Sequence, residues 1–525
     1  MKTIKIVHII DNLNNLGASL GTLIAAGYSQ KNSIFKHSIL SLSPPSMEAL
    51  TKAHNYKIEV VYFSSNKDQN NYLQHADIVQ VEWWNNPLIN KFLCSDFPPV
   101  RLIIWVRVNS FSSGHYFPSA FIEIADHVMI TTERTLYDGL FKTLPFDTRK
   151  KVSVMLAGAD FKKLKPIQKK DNSTFTVGYI GSLSFVKMHR NYVSMSAAAD
   201  IKSVKFLVFG TGRKTDIEKR KQQAIDHGLS HKFTFSGYIE AINVQLQKFD
   251  VFGYPLEKDT YAASEKSLQE AMYMGIPPIV FPHGGIPYLV KNNETGLIVH
   301  TEREYSEALE FLFHNNSIRK KLGYNAHIYA KNNLGIKNQI KKLHEVYFKV
   351  IKVSKNKKQL FFHSIVKSKK ESLKGSDFFL LSIQPQEAAV FRESVEETLL
   401  EKQVAADIEI LQAQPQLVFV LEKYKTYYPE DPYINFWLGI IYMRDYAYKK
   451  AVECFLFPCK RGPFFWRKQL YLFIALKNIG GEYYDNYFKT SFFPTIQSVI
   501  EFVENSGADF KQILENLLNR LNRKL

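Results

Sequence analysis

The strongest constraint on this chain is a repeated alternation of short, nearly continuous apolar runs with stretches of helical periodicity, from the first residues to about 350. The first apolar runs are Ile4–Ile10, His37–Leu42, Ile58–Phe63, Ile78–Glu82, Leu102–Val106, Val128–Thr132 and Val152–Leu156. A second set follows: Phe175–Ile180, Val204–Phe209, Lys232–Phe235, Val251–Tyr254, Pro278–Phe281 and Leu297–Val299. Helical patterns lie between them, including Ala18–Ser29, Met47–His54, Pro118–Ala125, Thr135–Lys142, Thr215–His227, Ala241–Lys248 and Ser264–Met274. A strand without polar alternation is buried on both faces, so such units predict doubly wound parallel sheets covered by helices. The fold class expected is α/β, two such domains facing a cleft, with an all-α domain after them.

The chain has 525 residues, too many for one core and enough for roughly three domains. The sequence places the first α/β domain at 1–160 and the second at 173–352, joined by the polar, basic, proline-bearing stretch Phe161–Ser173. A helical run from Glu302 to Lys352 is expected to close the second domain. A basic segment at 353–385 reads as a linker, with a lipid-headgroup patch as the sharper alternative. Residues 386–525 read as all helix. There Leu438-Gly439, Tyr442, Ala451, Phe455 and Pro463 fall on the spacing of a tetratricopeptide unit, although Asn435 stands where that pattern has tryptophan.

Composition excludes several classes. With 45% hydrophobic and 22% charged residues the chain is globular. Cys94, Cys454 and Cys459 have no metal-ligand or redox spacing, and no disulfide framework is expected, consistent with a reducing cytoplasm. No apolar run reaches the roughly 18 residues of a membrane span, and Asp11 and Asn12 end the N-terminal run too early for a signal peptide. The net charge of +18 suits a basic surface throughout, with peripheral contact to an anionic membrane as the specific alternative. The basic residues are dispersed and no recognition module is visible, so nucleic acid is not an expected partner. Between Asp11 and Gly21 only Gly17 and Gly21 occur, too few for a dinucleotide fingerprint.

The chemistry concentrates between Tyr254 and Gly296. Ser264 is placed to cap a helix whose apolar stripe is Leu268, Ala271 and Met272 and which stops at Gly275. After the strand Pro278–Phe281, Gly284-Gly285 makes a tight turn and Pro287 sits in the first turn of another helix. Two helix N-termini at neighbouring strand ends form a site for anionic oxygens, with Glu265 and Glu270 beside it for hydroxyls.

Residues from about 173 to 350 resemble the C-terminal half of the retaining GT-B glycosyltransferases, the "glycosyl transferases group 1" family, whose domains are Rossmann-like. The matching motifs occur in order. They are Gly181-Ser182-Leu183 with Lys187, Gly210-Thr211-Gly212, Phe235-Ser236-Gly237-Tyr238, and Glu270-Ala271-Met272 with Gly275 and Pro277. Gly284-Gly285 and Thr295-Gly296 complete the series. The N-terminal half resembles the family less closely, in Ala125-Asp126 through Thr132-Glu133 and in Gly158-Ala159-Asp160.

The resemblance implies a cytoplasmic, retaining enzyme of cell-surface polysaccharide biosynthesis. It would move a sugar from a nucleotide-sugar donor, UDP- or GDP-linked, to a glycan or lipid-linked acceptor. It implies no cofactor and no bound metal. Lys187 is the cation for the departing diphosphate, and Glu270 holds the ribose hydroxyls; these two are the expected catalytic residues. Gly181, Ser182, His189, Gly210, Ser264, Glu265, Gly284 and Gly285 are the expected donor-binding residues, and Gly17, Arg107 and His115 lie on the acceptor side. Two departures stand out. The family's first glutamate, eight positions before the second, is here Ala262, and Glu265 either replaces it or only favours the helix dipole. The arginine that partners the lysine is here Ser182, with Arg190 and Arg213 as substitutes or plain surface arginines. A rival reading is a degenerate transferase fold that binds a protein partner through the C-terminal helices.

Overall fold

The computed structural model describes residues 3–14, 17–31, 33–137, 139–166, 174–239, 241–358, 373–396, 399–457 and 465–480. Pro463, Cys459 and the helical stretch expected beyond 480 lie outside the described residues, as does most of the basic segment after 358.

The chain divides into two compact units, 1–84 with 92–112 and 119–360, and 85–91 with 113–118 and 361–525. The first unit contains both sheets. Strands β1 (Ile4–Ile10), β2 (Phe35–Ser41), β3 (Glu59–Tyr62), β4 (Ile78–Trp83), β5 (Leu102–Val106), β6 (His127–Ile130) and β7 (Val152–Val154) form one. Their order is β3-β2-β1-β4-β5-β6-β7, every pair parallel. Strands β8 (Phe175–Ile180), β9 (Val204–Phe209), β10 (Phe233–Ser236), β11 (Val251–Tyr254), β12 (Pro278–Val280) and β13 (Leu297–Ile298) form the other. Their order is β10-β9-β8-β11-β12-β13, again all parallel. Both are doubly wound, with the winding reversing beside β1 in one lobe and beside β8 in the other, as the apolar runs predict. Central strands β4, β5, β8 and β11 are buried along their whole length; β5, β8 and β11 are accordingly almost entirely apolar, whereas β4 carries the buried polar residues Gln80 and Glu82.

One helix departs from expectation. The run after Glu302 divides into helices Glu302–His314, Asn316–Asn333 and Ile336–Val350. The last does not close the second domain: Leu343, Val346, Tyr347 and Val350 pack with Ile6, Phe35, Ile78, Ile103 and Trp105 of the first sheet. The chain therefore crosses between lobes twice, and the crossings touch. Ile336 N donates to Ala159 O at 2.9 Å, and a Cβ on Gly158 would lie 2.2 Å from the Gly335 carbonyl carbon.

The second unit is helical, with helices Gly375–Leu381, Pro385–Glu393, Leu400–Ile410, Pro415–Tyr427, Pro432–Arg444, Tyr448–Phe455 and Phe465–Ile479. It begins before residue 386 and takes in 85–91 and 113–118. The Tyr424 hydroxyl is a hub there, receiving a bond from Asn90 Nδ2 at 2.7 Å and donating to Asn85 Oδ1 at 2.9 Å. Small residues meet aromatics: a Cβ on Gly439 would lie 2.3 Å from the Phe455 ring. A fully buried pair, Arg467 Nε to Asp407 Oδ2 at 2.7 Å, is completed by the Tyr471 and Ser394 hydroxyls. Among the described residues no single helix is long and apolar enough to cross a membrane.

Candidate functional site

The carboxyl ends of the two sheets face each other, and Tyr254–Gly296 lies where they meet. Asn109, after β5, donates through Nδ2 to Thr260 O at 2.6 Å and Ala262 O at 3.0 Å in the loop after β11. Arg134, after β6, donates to Pro282 O and Gly284 O after β12, at 3.3 and 3.2 Å. Both reversals of winding open onto this junction, the place where doubly wound sheets leave a crevice.

At the second lobe's reversal, the loop after β8 carries Lys187 and the loop after β11 leads into helix Lys266–Tyr273. Lys187 Nζ pairs with Glu265, 2.9 Å from Oε2 and 3.1 Å from Oε1, and the Tyr254 hydroxyl donates to the same carboxylate. Both ions are largely enclosed, with 14% and 7% of their side chains exposed. Burial alone would lower the Lys187 ammonium, but Glu265, with Tyr261 beneath it, raises it above the ordinary lysine value. The cation expected to meet phosphate is thus held by a carboxylate from the loop after the neighbouring strand β11.

Glu265, not Ser264, is the residue at the helix start, and its side chain makes no capping bond. Its φ of 26° lies in the left-handed region, unusual for a side chain larger than glycine. The Lys187 pair and the Tyr254 bond act on that side chain, and tertiary partners win over the local cap signal that Ser264 carries. Ser264 instead gives its carbonyl to Gln269 Nε2. The second expected N-terminus is also absent, because Ile286–Tyr288 is a single three-residue turn. Gly284 and Gly285 pack against the Ala262–Ala263 backbone, and Gly285 N donates to Ala262 O at 2.9 Å. Ala262 is buried there, 1% exposed, so this position has no open space for a longer carboxylate.

Glu270 lies one turn into the helix, half-buried, and its carboxyl accepts no hydrogen bond from the described residues. Burial, with Asp160 nearby, pushes its carboxyl up to about 7 against the pull of Lys266. Its neighbour Gln269 is fully buried, donates to Ala157 O at 3.0 Å and accepts from Ala159 N at 3.1 Å, tying the helix to the crossing between lobes. Gly181 and Gly210 are close-packed strand ends. Gly181 N donates to Phe209 O at 3.0 Å, and a Cβ on Gly210, whose φ is 146°, would fall 1.7 Å from Gly181 O. Ser182 gives its carbonyl to the Tyr179 hydroxyl.

Other expected residues have different neighbours. His189 lies edge-on to Phe281, and burial lowers its imidazole although Glu257 and Glu302 oppose this. Arg190 is paired with Glu257 at 3.0 Å. Gly17, with φ 51°, opens the helix Gly17–Gln30. Arg107 is buried over Trp105, donating to Glu82 Oε2 at 2.6 Å and Thr22 Oγ1 at 2.7 Å. Glu82 also meets His8, which bonds His37, so Arg107 serves a buried network rather than a free surface. His115 belongs to the helical unit, not to this junction. It bonds Gln416 at 2.6 Å there, and burial lowers it to about 3. The expectation of an acceptor-side role for His115 has no support from that packing. Among the described residues no group of three or more His, Cys, Asp or Glu is placed to hold a metal.

Sequence reasoning missed Tyr254, Lys266, Gln269, Asn109 and Arg134. The available cue was Gln269, a polar residue within the otherwise apolar face Leu268, Ala271 and Met272.

Residues 160–328 match the family described as Glycosyl transferases group 1. That span contains Gly181, Lys187, Gly210, Glu265, Glu270 and Gly284-Gly285. A comparison with curated proteins finds no match. Among solved structures the fold is similar to Anabaena Alr3699/HepE, crystallised in complex with UDP and glucose, at 14% identity and TM-score 0.55, over 66% of this chain and 100% of that one. It is similar to a glycosyltransferase from Rickettsia africae ESF-5 at 15% identity and TM-score 0.53, over 67% and 100% of the two chains. TarM gives 11% identity and TM-score 0.54 over 67% and 99%. At such identities the likeness is one of fold, the two-lobed GT-B layout.

Proposed function

We propose that this chain is a glycosyltransferase that takes a sugar from a nucleotide-sugar donor, UDP- or GDP-linked, and transfers it with retention of configuration to a glycan or lipid-linked acceptor. The observation that carries this reading is Glu270, a carboxyl without a hydrogen-bond partner among the described residues, at the meeting of two doubly wound sheets and inside the span matched by the family. Its two acceptor oxygens suit a pair of ribose hydroxyls.

In this reading the bond from the sugar's anomeric carbon to the diphosphate breaks, and the electron pair leaves on a phosphate oxygen. The acceptor hydroxyl forms the new bond on the same face, and its proton passes to that oxygen, so no separate strong base is needed. The protein's task is to meet the charge that develops on the diphosphate with fixed cations in a site closed to water. Lys187 supplies one once Glu265 releases it. Lobe closure about the two touching crossings brings acceptor and donor together. The setting proposed is the cytoplasm, with peripheral contact to an anionic membrane through the basic surface, and with the helical unit as a surface for a protein partner.

The test is thermal stabilisation by a panel of nucleotide sugars, followed by product analysis with the donor that binds. A rise in Tm with one donor, and transfer or slow donor hydrolysis that disappears in Glu270→Ala, is expected. No stabilisation by any donor supports the second reading, a degenerate transferase fold used for binding, which Ser182, Ala262 and the occupied Lys187 favour.

A further inference from the structure

The junction holds a second cation that the family pattern does not supply. Lys266 opens the helix that carries Glu270, and its Nζ lies over Gly21 of the first lobe, 2.0 Å from where a Cβ of Gly21 would stand. Gly21 lies in the helix that follows β1, and Lys266 in the helix that follows β11, so the ammonium spans the points where both sheets reverse their winding. Lys187 is held by Glu265, Arg107 by Glu82, and Arg190 by Glu257. Lys266 forms no ion pair and donates no hydrogen bond among the described residues. A half-buried ammonium with three unfilled donors at a crevice is a place for an anion that arrives from outside.

We propose that Lys266 is a second cation, beside Lys187, that binds the donor's diphosphate and receives the charge of the leaving group, in place of the arginine replaced by Ser182. This rests on the glycosyl-transfer reading and deepens it. The groups facing Lys266 are Arg107 and Glu82 from the first lobe and Glu270 from its own helix. Burial and Arg107 lower the ammonium to about 8, against Glu270 and Glu82. In the ligand-free protein Lys266 is charged below that pH and loses its proton above it. Diphosphate affinity therefore falls as pH rises past about 8.

The experiment is calorimetric titration of the full chain with uridine and guanosine 5′-diphosphates, the matching monophosphates and the nucleosides. Wild-type protein, Lys266→Met and Lys266→Arg are compared at pH 7 and pH 9. The expected result is a wild-type preference for diphosphate over monophosphate that narrows about tenfold in Lys266→Met. Lys266→Arg keeps the preference and also loses its decline at pH 9, because a guanidinium stays charged. A wild-type preference that Lys266→Met leaves unchanged overturns the assignment of Lys266 alone. Wild-type protein that binds none of the nucleotides overturns the glycosyl-transfer reading and this assignment with it.

Discussion

Lys187 and Glu265 meet at 2.9 Å across the reversal point of the second sheet, 78 residues apart in the chain. In the free protein the carboxylate neutralises Lys187 and so competes with an incoming diphosphate for it. Glu265→Gln removes its charge but keeps an acceptor for Tyr254. A nucleoside diphosphate is then expected to bind about tenfold tighter, a difference of about 1.4 kcal/mol. The same change leaves a largely buried ammonium without its counter-ion, so the free protein loses about 2–4 kcal/mol. Melting curves with and without diphosphate read both effects at once; a variant with unchanged Tm and unchanged affinity would show that the pair is inert.

The strand plan was legible in the sequence because both-face burial leaves a direct trace, an apolar run without alternation, as in Leu102–Val106 and Phe175–Ile180. The site was legible only in part. Motif spacing places Glu270 and Lys187, but it says nothing of which charge neutralises which. Ser264 carries a correct local cap signal that a contact from a distant loop overrides, and Glu265 takes the strained φ instead. The helix Ile336–Val350 shows an apolar stripe, but a stripe does not say which sheet it covers; Tyr347 bonding Gln80 in the first lobe settles that. His115 has no sequence cue for burial, since Gln416 reaches it from 301 residues away.

Gly210 is expected to be intolerant of any side chain. Its φ of 146° is a glycine conformation, and the missing Cβ position is 1.7 Å from the backbone oxygen of Gly181, just after β8. Gly210→Ala is expected to cost about 3 kcal/mol or more, through strain and displacement of the Gly181 loop. The drop in Tm of the first unit checks this, and Gly228→Ala, at φ 68° but with nothing within 4 Å of the added Cβ, separates the clash from the backbone strain.

In the helical unit, Asp407 and Arg467 are both fully buried; Asp407 accepts from the Ser394 and Tyr471 hydroxyls, and Arg467 donates to Gln403 and to the Ser394 carbonyl. Removing one ion strands the other, so Asp407→Ala is expected to lose about 3–5 kcal/mol. Replacing both, as Asp407→Leu with Arg467→Met, recovers most of that loss, since two apolar side chains need no counter-charge. Denaturation of the three proteins followed by far-UV circular dichroism gives the comparison. A double variant as unstable as the single one would assign the pair a role in specifying the packing.

Glu270 links stability to function through pH. Burial raises its carboxyl from the ordinary 4.5 to about 7 in the folded chain, despite Lys266. The unfolded chain therefore releases this proton first as pH rises, and the folded state is penalised progressively between about 4.5 and 7. The full shift corresponds to about 3 kcal/mol, and the partial exposure of the residue reduces this to about 1–3 kcal/mol. Glu270→Gln carries no such penalty. It is expected to match wild type near pH 4.5 and to exceed it above pH 7, with the gap opening across that interval. Donor binding should run the other way: wild-type affinity rises through pH 7 as the carboxylate forms, whereas Glu270→Gln binds donor weakly and without that dependence. Paired melting and titration series from pH 4.5 to 8.5 test the two halves together. A variant less stable than wild type at pH 8 would mean that the carboxylate is anchored by partners already in the free protein, and that its role is structural.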